Sequence, residues 1–207
     1  MEKKPHRVEI QGHTVTKYFG NAAAFTRELR VYRLGLPMTP RLLACTGPER
    51  ITLEKITGTA YLDGPLDENG ASRLAQTIAR FHAHTREDGK CLCHWDNQPR
   101  NILDCNGSYY LIDFAEARIS FPEDDITHLM LFWASEFTMA HMEELARAFI
   151  AAYTKTIPLD PERWRISLSR SIERFDRRRS LHLHPGHHLD TRQLQGNREL
   201  IALLLDN

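Results

Sequence analysis

Between His94 and Ala117 the chain reads HWDNQPRNILDCNGSYYLIDFAEA. Asp96 and Asn101 stand five positions apart, and Asp113 follows Asp96 by seventeen. Two carboxylates and an amide oxygen therefore share one short polar stretch. A carboxylate can orient an attacking hydroxyl and accept its proton. A second carboxylate and an amide oxygen can hold Mg²⁺ on a chain of phosphates, because hard oxygen donors suit that ion. The chemistry such a set can do is phosphoryl transfer, which is mostly positioning plus neutralisation of phosphate charge. A polar loop capping two strands would use some of the same residue types, but it would not require this order or this spacing.

Those side chains need elements to hold them. Asn101–Asp104 and Tyr109–Phe114 read as strands joined around Cys105-Asn106-Gly107, a hairpin-turn signal. Asp96 and Asn101 would then end one loop, and Asp113 would end a hairpin strand. Upstream, Val8–Phe19 reads as a hairpin turning at Gln11-Gly12, with Lys17 on its second strand. Ala22–Leu34 carries Phe25, Leu29 and Tyr32 at helical spacing, with Asn21 as its cap and Gly35-Leu36-Pro37 as its stop. Glu28 lies on that helix.

Arg41–Thr46 and Arg50–Lys55 are short strand candidates, and Thr57-Gly58 breaks the pattern. Asp67–Thr85 reads as a long helix with Leu74, Ile78, Phe81 and His82 on one face, and Leu92–Trp95 as a short apolar segment. The remainder is expected to be helical: Asp125–Phe137 capped by Asp124 or Asp125, then Glu143–Thr156, Pro161–Arg179 and Arg198–Leu205. Strands first and helices later, around a linker near 56–60, is an α+β pattern with two unequal lobes.

With these residues in place, a resemblance can be stated. His94-x-Asp96, four residues, Asn101, then Ile112-Asp113-Phe114 resembles the catalytic loop and metal-binding segment of the protein-kinase-like superfamily. It is closer to the aminoglycoside/choline-kinase-type and lipopolysaccharide-core-kinase-type phosphotransferases than to signalling kinases. The resemblance implies a truncated N-lobe at 1–55, a hinge at 56–60 and a helical C-lobe at 61–207, with catalytic loop 94–101 and metal-binding segment 112–117. It implies Asp96 as catalytic base, Asn101 and Asp113 as Mg²⁺ ligands, and His94 as a structural residue of the loop. Lys17 would grip the phosphates of ATP and Glu28 would aim it. Backbone groups of Glu54 and Ile56, in a hinge-like Leu53–Gly58, would meet adenine.

Departures from the pattern are equally visible. Trp95 stands where those families usually have Gly or Arg, and Ala115 follows Asp113-Phe114 where signalling kinases have Gly. No Gly-x-Gly-x-x-Gly precedes Lys17, so the Gln11–His13 turn is the expected substitute over the phosphates. Only about 35 residues separate hinge from Asp96, fewer than antibiotic kinases need for their substrate-binding insert, which favours an open site and a bulky acceptor such as a lipopolysaccharide-core sugar. An atypical protein Ser/Thr kinase and a pseudokinase, a binding or regulatory module, are the alternatives.

Composition narrows the field. Net charge is zero over 207 residues, with 27 Lys/Arg and 27 Asp/Glu, unlike a non-specific nucleic-acid binder. The balance is local: residues 1–55 carry +5 and residues 113–144 carry −7. No apolar run approaches the roughly 20 residues of a membrane span, and no secretory signal is visible. A cytoplasmic protein is expected, with peripheral contact at the inner membrane left open. Cys91-Leu92-Cys93-His94 lacks ordinary zinc spacing and reads as a buried strand. The four histidines within His182–His188 read as a loop, and the five arginines of Arg170–Arg179 as a solvated helix face or an anion-docking face.

Overall fold

The computed structural model describes residues 7–47, 49–182 and 191–206, with backbone alone at 178–182. The histidine-rich segment 183–190 lies outside the described residues. In chain order the elements begin with β1 (Arg7–Gln11), β2 (Thr14–Tyr18), α1 (Ala22–Tyr32), β3 (Leu42–Thr46), β4 (Arg50–Glu54) and β5 (Thr59–Ala60). They continue with α2 (Glu68–Ala83), β6 (Cys91–Cys93), a 3₁₀ turn at Pro99–Asn101, β7 (Ile102–Cys105), β8 (Ser108–Leu111) and β9 (Arg118–Ser120). Four helices follow: α3 (Pro122–Glu136), α4 (Met139–Tyr153), α5 (Pro161–His182) and α6 (Thr191–Leu203).

These elements fall into two compact units. One gathers the chain up to Gly64 with His94–Arg118, and the other gathers Pro65–Cys93 with the chain from Ile119 onward. The grouping differs from the linear order 1–55, 56–60, 61–207, because His94–Arg118 folds with the N-terminal strands. Leu111 N–H donates to Met38 O at 2.8 Å, Tyr61 N–H to Ile102 O at 3.1 Å and Arg27 Nε to Ala115 O at 2.6 Å. Every residue singled out for phosphoryl transfer lies in this first unit.

Within it, β1, β2, β4 and β3 form an antiparallel sheet in that order. A two-residue turn at Gly12-His13 joins β1 to β2, and Gly12 takes φ +55°, as a tight hairpin with glycine at its first central position requires. Lys17 sits opposite Val8 on β1 and Ile51 on β4, so it occupies an inner strand. In α1 the Asn21 side chain accepts from Ala23 N–H at 2.8 Å and Ala24 N–H at 3.3 Å, filling two of the orphan donors at the helix start. Phe25, Glu28, Leu29, Val31 and Tyr32 form its buried face. A second antiparallel sheet, β5-β7-β8, carries the expected hairpin, with Asn106 and Gly107 both left-handed at φ +54° and +83°.

The second unit is mainly helical. Trp133, Phe149, Tyr153, Trp164, Leu129 and Ile126 are fully buried in its core. Two buried polar side chains bridge its helices: Trp164 Nε1 donates to Ile201 O at 2.8 Å, and Asn197 Nδ2 to Ala134 O at 2.9 Å and Phe137 O at 3.0 Å. Three sequence expectations need correction here. Helix α3 begins at Pro122, whose fixed φ suits the first helical position, so Asp124 and Asp125 lie inside its first turn and are not the cap. Helix α4 starts at Met139, four residues before Glu143, because Met142 belongs to its buried face. Helix α6 starts at Thr191, seven residues before Arg198, where polar surface masked its period.

The cap on α1 gives a simple prediction. Asn21→Ala should lower the stability of the first unit by about 1 kcal/mol. Urea unfolding of the full chain would read this as a lower midpoint with an unchanged slope.

Candidate active site

Lys17 is only 6% exposed although it stands on a strand of a small sheet. Its Nζ donates to Glu28 Oε1 and to Asp113 Oδ1, the latter at 2.8 Å. Burying an ammonium is costly unless it is paired and hydrogen-bonded, and two carboxylates meet that condition. Tyr32 completes the arrangement. Its hydroxyl donates to Glu28 Oε1 at 3.1 Å and accepts from Asp113 N–H at 3.4 Å. Lys17, Glu28, Tyr32 and Asp113 thus form a closed polar ring. Sequence reasoning missed Tyr32, although its place four residues after Glu28 on one helix puts both on the same face.

Burial raises the carboxyl of Glu28 above its ordinary range, and Lys17 opposes that rise. Glu28 Oε2 is buried without a hydrogen-bond partner, which is where the cost of the charge falls. Burial likewise lifts the Tyr32 hydroxyl well above its usual value, with the nearby Glu28 charge adding to the rise. Tyr32 is therefore a neutral donor in this ring.

Asp113 is placed by a departure from the expected strand. Strand β8 stops at Leu111, not Phe114. Asp113 takes φ +65°, a left-handed conformation in which aspartate is one of the better-tolerated residues. An extended run could not have been foreseen to break there, because Ile112 and Phe114 continue its apolar alternation. Phe114 is fully buried and packs edge-on against Tyr32, with ring centroids 5.4 Å apart.

The loop from His94 to Asn101 is fixed from within. His94 Nε2 lies 2.9 Å from Ile112 O, and its Nδ1 accepts from Asp96 N–H at 3.3 Å. A carbonyl on one side and an N–H on the other select the Nε2–H tautomer. The ring also lies against Phe114 at 4.7 Å. Asn101 Nδ2 donates to Asp96 O at 2.7 Å and to Asp96 Oδ2 at 3.3 Å, and Gln98 Nε2 reaches Asp96 Oδ2 at 3.0 Å. Asn101 thereby closes the loop with its amide nitrogen while its amide oxygen remains the hard donor. Trp95 takes φ +66°, costly for a bulky side chain, and the Arg118 guanidinium covers its ring at 4.5 Å.

A cavity of about 400 Å³ opens beside these groups. Lys17, Asn101 and Asp113 supply its polar wall. Val8, Ile10, Val15, Leu53, Leu103 and Ile112 supply apolar faces, and Glu54, Lys55, Ile56 and Gly58 run along its edge. A Cβ on Gly58 would stand 2.5 Å from Asp104 O, so only glycine fits there. Glu54 is tied to Arg41 twice: its carboxylate accepts from Arg41 N–H at 3.0 Å and its own N–H donates to Arg41 O at 3.0 Å. The structure thus brings Lys17, Glu28, Asn101 and Asp113 together, sets Asp96 beside Asn101, and puts Glu54 and Ile56 on the same cavity. An apolar cavity that also presents an ammonium and hard oxygens suits a base joined to a phosphate chain and its cation.

The profile of the phosphotransferase enzyme family matches residues 11–167. Aminoglycoside phosphotransferase APH(4)-Ia, in a thermostable mutant form, aligns over 98% of this chain and 92% of its own, with 17% identity and a TM-score of 0.59. Choline kinase LicA from Streptococcus pneumoniae aligns over 95% and 89%, with 15% identity and a TM-score of 0.57. APH(2")-IIa, solved with streptomycin and ATP, aligns over 83% and 82%, with 13% identity and a TM-score of 0.56. Curated proteins gave no match. The structural likenesses show the protein-kinase-like α+β fold expected from the sequence.

The ring makes two predictions. A double-mutant cycle over Lys17→Met and Glu28→Gln should return a coupling of about 2 kcal/mol in urea unfolding, since either single change strands a buried partner. The second concerns pH. Because burial in the folded state holds Glu28 above the 4.5 of a free glutamate, it binds that proton more readily than the unfolded chain does. The contribution of Glu28 to stability is therefore fully present below 4.5 and is lost as pH rises through the raised value. Melting temperatures measured across that interval should fall less in Glu28→Gln than in the parent.

Proposed function

We propose that this chain, which belongs to the phosphotransferase enzyme family, transfers the γ-phosphoryl group of ATP to a hydroxyl of a bulky polar acceptor. The observation that carries this reading is the juxtaposition of Lys17, Asn101 and Asp113 on one cavity wall, with Glu28 fixing Lys17 from behind. In the reading, Lys17 meets the phosphates when they enter and exchanges its bond to Asp113 for them. Asn101 and Asp113 would hold Mg²⁺, and their hard oxygens beside a phosphate-binding ammonium fit that ion. When bound, the ion neutralises charge on the phosphate chain. The apolar faces of Val15, Leu53 and Leu103 would take the adenine, and backbone groups of Glu54 and Ile56 its polar edge.

Asp96 acts on the acceptor. Gln98 and Asn101 hold its carboxylate in one orientation, as a base that must receive a proton from an incoming hydroxyl requires. His94 and the buried Phe114 keep the loop in register without touching the reaction. The reading takes a bulky acceptor because little stands between β5 and His94. That interval holds α2 and β6 and no further helix that could wall in a small substrate. A lipopolysaccharide-core sugar is an acceptor of the right kind. No helix among the described residues is long and apolar enough to cross a membrane.

Thermal unfolding followed against MgATP tests the reading. At a hundredfold excess over Kd the parent should melt about 5–10 °C higher, and Asp113→Ala should lose the Mg²⁺-dependent part of that shift. Asp96→Asn should keep the shift and lose about 10²–10⁴-fold in turnover. A parent with no Mg²⁺-dependent shift would contradict the nucleotide site. A parent that binds MgATP yet releases no more product than Asp96→Asn with any acceptor would be a binding module.

A further inference from the structure

We propose that the second unit binds one Zn²⁺ ion through His82, Cys91 and Cys93. This site is separate from the phosphoryl-transfer residues and does not depend on how they are read. Cys91 and Cys93 are two apart on β6, so their side chains share one face of the strand. His82 is the penultimate residue of α2. All three are fully buried, and their ligand atoms lie within 4.8 Å of one another. The sequence points to His94 as the nearest histidine, but His94 is committed to Ile112 O and Asp96 N–H. Chain folding supplies His82 in its place.

Spacing favours an ion over a disulfide. The two Sγ atoms are 3.6 Å apart. Two thiolates on a tetrahedral Zn²⁺, with Zn–S of about 2.3 Å, stand about 3.8 Å apart, whereas a disulfide needs about 2.05 Å. The imidazole is prepared as zinc-binding imidazoles are. Its Nε2 faces Asp125 Oδ2 at 3.0 Å, which directs the N–H outward and leaves the lone pair on Nδ1. The Tyr153 hydroxyl lies 2.7 Å from that Nδ1 and donates to its lone pair in the absence of an ion. Cys93 Sγ also donates to Phe121 O at 3.3 Å. A purely apolar strand would need none of these partners.

Loading balances simply. Both thiols ionise, two S–Zn bonds and one N–Zn bond form, one water carried in with the ion stays as the fourth ligand, and two protons pass to solvent with no change of oxidation state. The Tyr153 hydroxyl turns from Nδ1 as the ion takes the lone pair. The ion then ties α2 to β6, the strand that leads directly into His94.

The test uses the full chain in a Cys45→Ser, Cys105→Ser background, refolded from urea with one equivalent of Co²⁺ as the spectroscopic probe. The proposal predicts thiolate-to-cobalt charge-transfer absorption and the visible bands of a tetrahedral ion, both displaced by Zn²⁺. Cys91→Ser and Cys93→Ser should each remove or halve the charge-transfer band, and Asp125→Asn should weaken Zn²⁺ binding about 10–100-fold. The histidines at 182–188 cannot produce a thiolate band. Its absence in the parent, or its survival in both serine variants, overturns the proposal. If the serine variants fail to fold, the Zn²⁺-refolded parent is titrated with an organomercurial. Release of one Zn²⁺ as two thiols react supports the site, and reaction of both thiols without release overturns it.

Discussion

A single buried ammonium organises the first unit. Lys17 lies almost out of solvent on an inner strand, and an unpaired charge there would cost more than the small sheet could offset. Glu28 and Asp113 must therefore both reach it, from a helix and from a loop 96 residues downstream of Lys17. Much of the local structure follows from that demand. The Asn21 cap fixes where α1 begins, and so which face carries Glu28. The left-handed turn at Asp113 swings its carboxylate out of line with β8 and onto Nζ. Tyr32 joins the two carboxylate residues from the other side. Lys17 and Asp113 are also two of the groups that the proposed function assigns to the phosphate chain and its cation, so one interaction serves both the fold and that reading.

The loop below is held by a different principle. Its hydrogen bonds run mostly to backbone or to one another: His94 to Ile112 O, Asn101 to Asp96 O, Asp96 N–H to His94. A loop tied in this way is rigid without a hydrophobic core of its own, as the base role proposed for Asp96 would need. Trp95 is the exception. Its backbone adopts a conformation that glycine takes more easily, and Arg118 stacks over its ring. Sequence comparison with a glycine at this place signals a departure, and the stacking supplies its partner.

Much of this was legible before any coordinates. The order of Lys17, Glu28, Asp96, Asn101 and Asp113 carried the fold and the proximity of Lys17, Glu28 and Asp113 and of Asp96 and Asn101, because hairpin and helix signals on either side were local. Asn21 and Asn106-Gly107 announced a cap and a turn through their own backbone chemistry. What stayed hidden was tertiary. Apolar alternation through Phe114 concealed the kink at Asp113, and Pro122 moved the start of α3 ahead of the acidic residues that resembled a cap. Glu123, Asp124 and Asp125, three of the acidic residues in the −7 zone, are buried. The approach of His82 to Cys91 and Cys93 depends on a helix end meeting a strand, which no spacing rule records.

The most direct test of the central account is a crystal structure of the chain with Mg²⁺ and a non-hydrolysable ATP analogue. The account predicts the base between the Val15 and Leu103 faces, phosphate oxygens at Lys17 Nζ, and Mg²⁺ on Asn101 and Asp113 with the Lys17–Glu28 pair retained. A nucleotide bound elsewhere, or phosphates in the cavity with Lys17 still turned to Asp113 and no ion on Asn101, would contradict it.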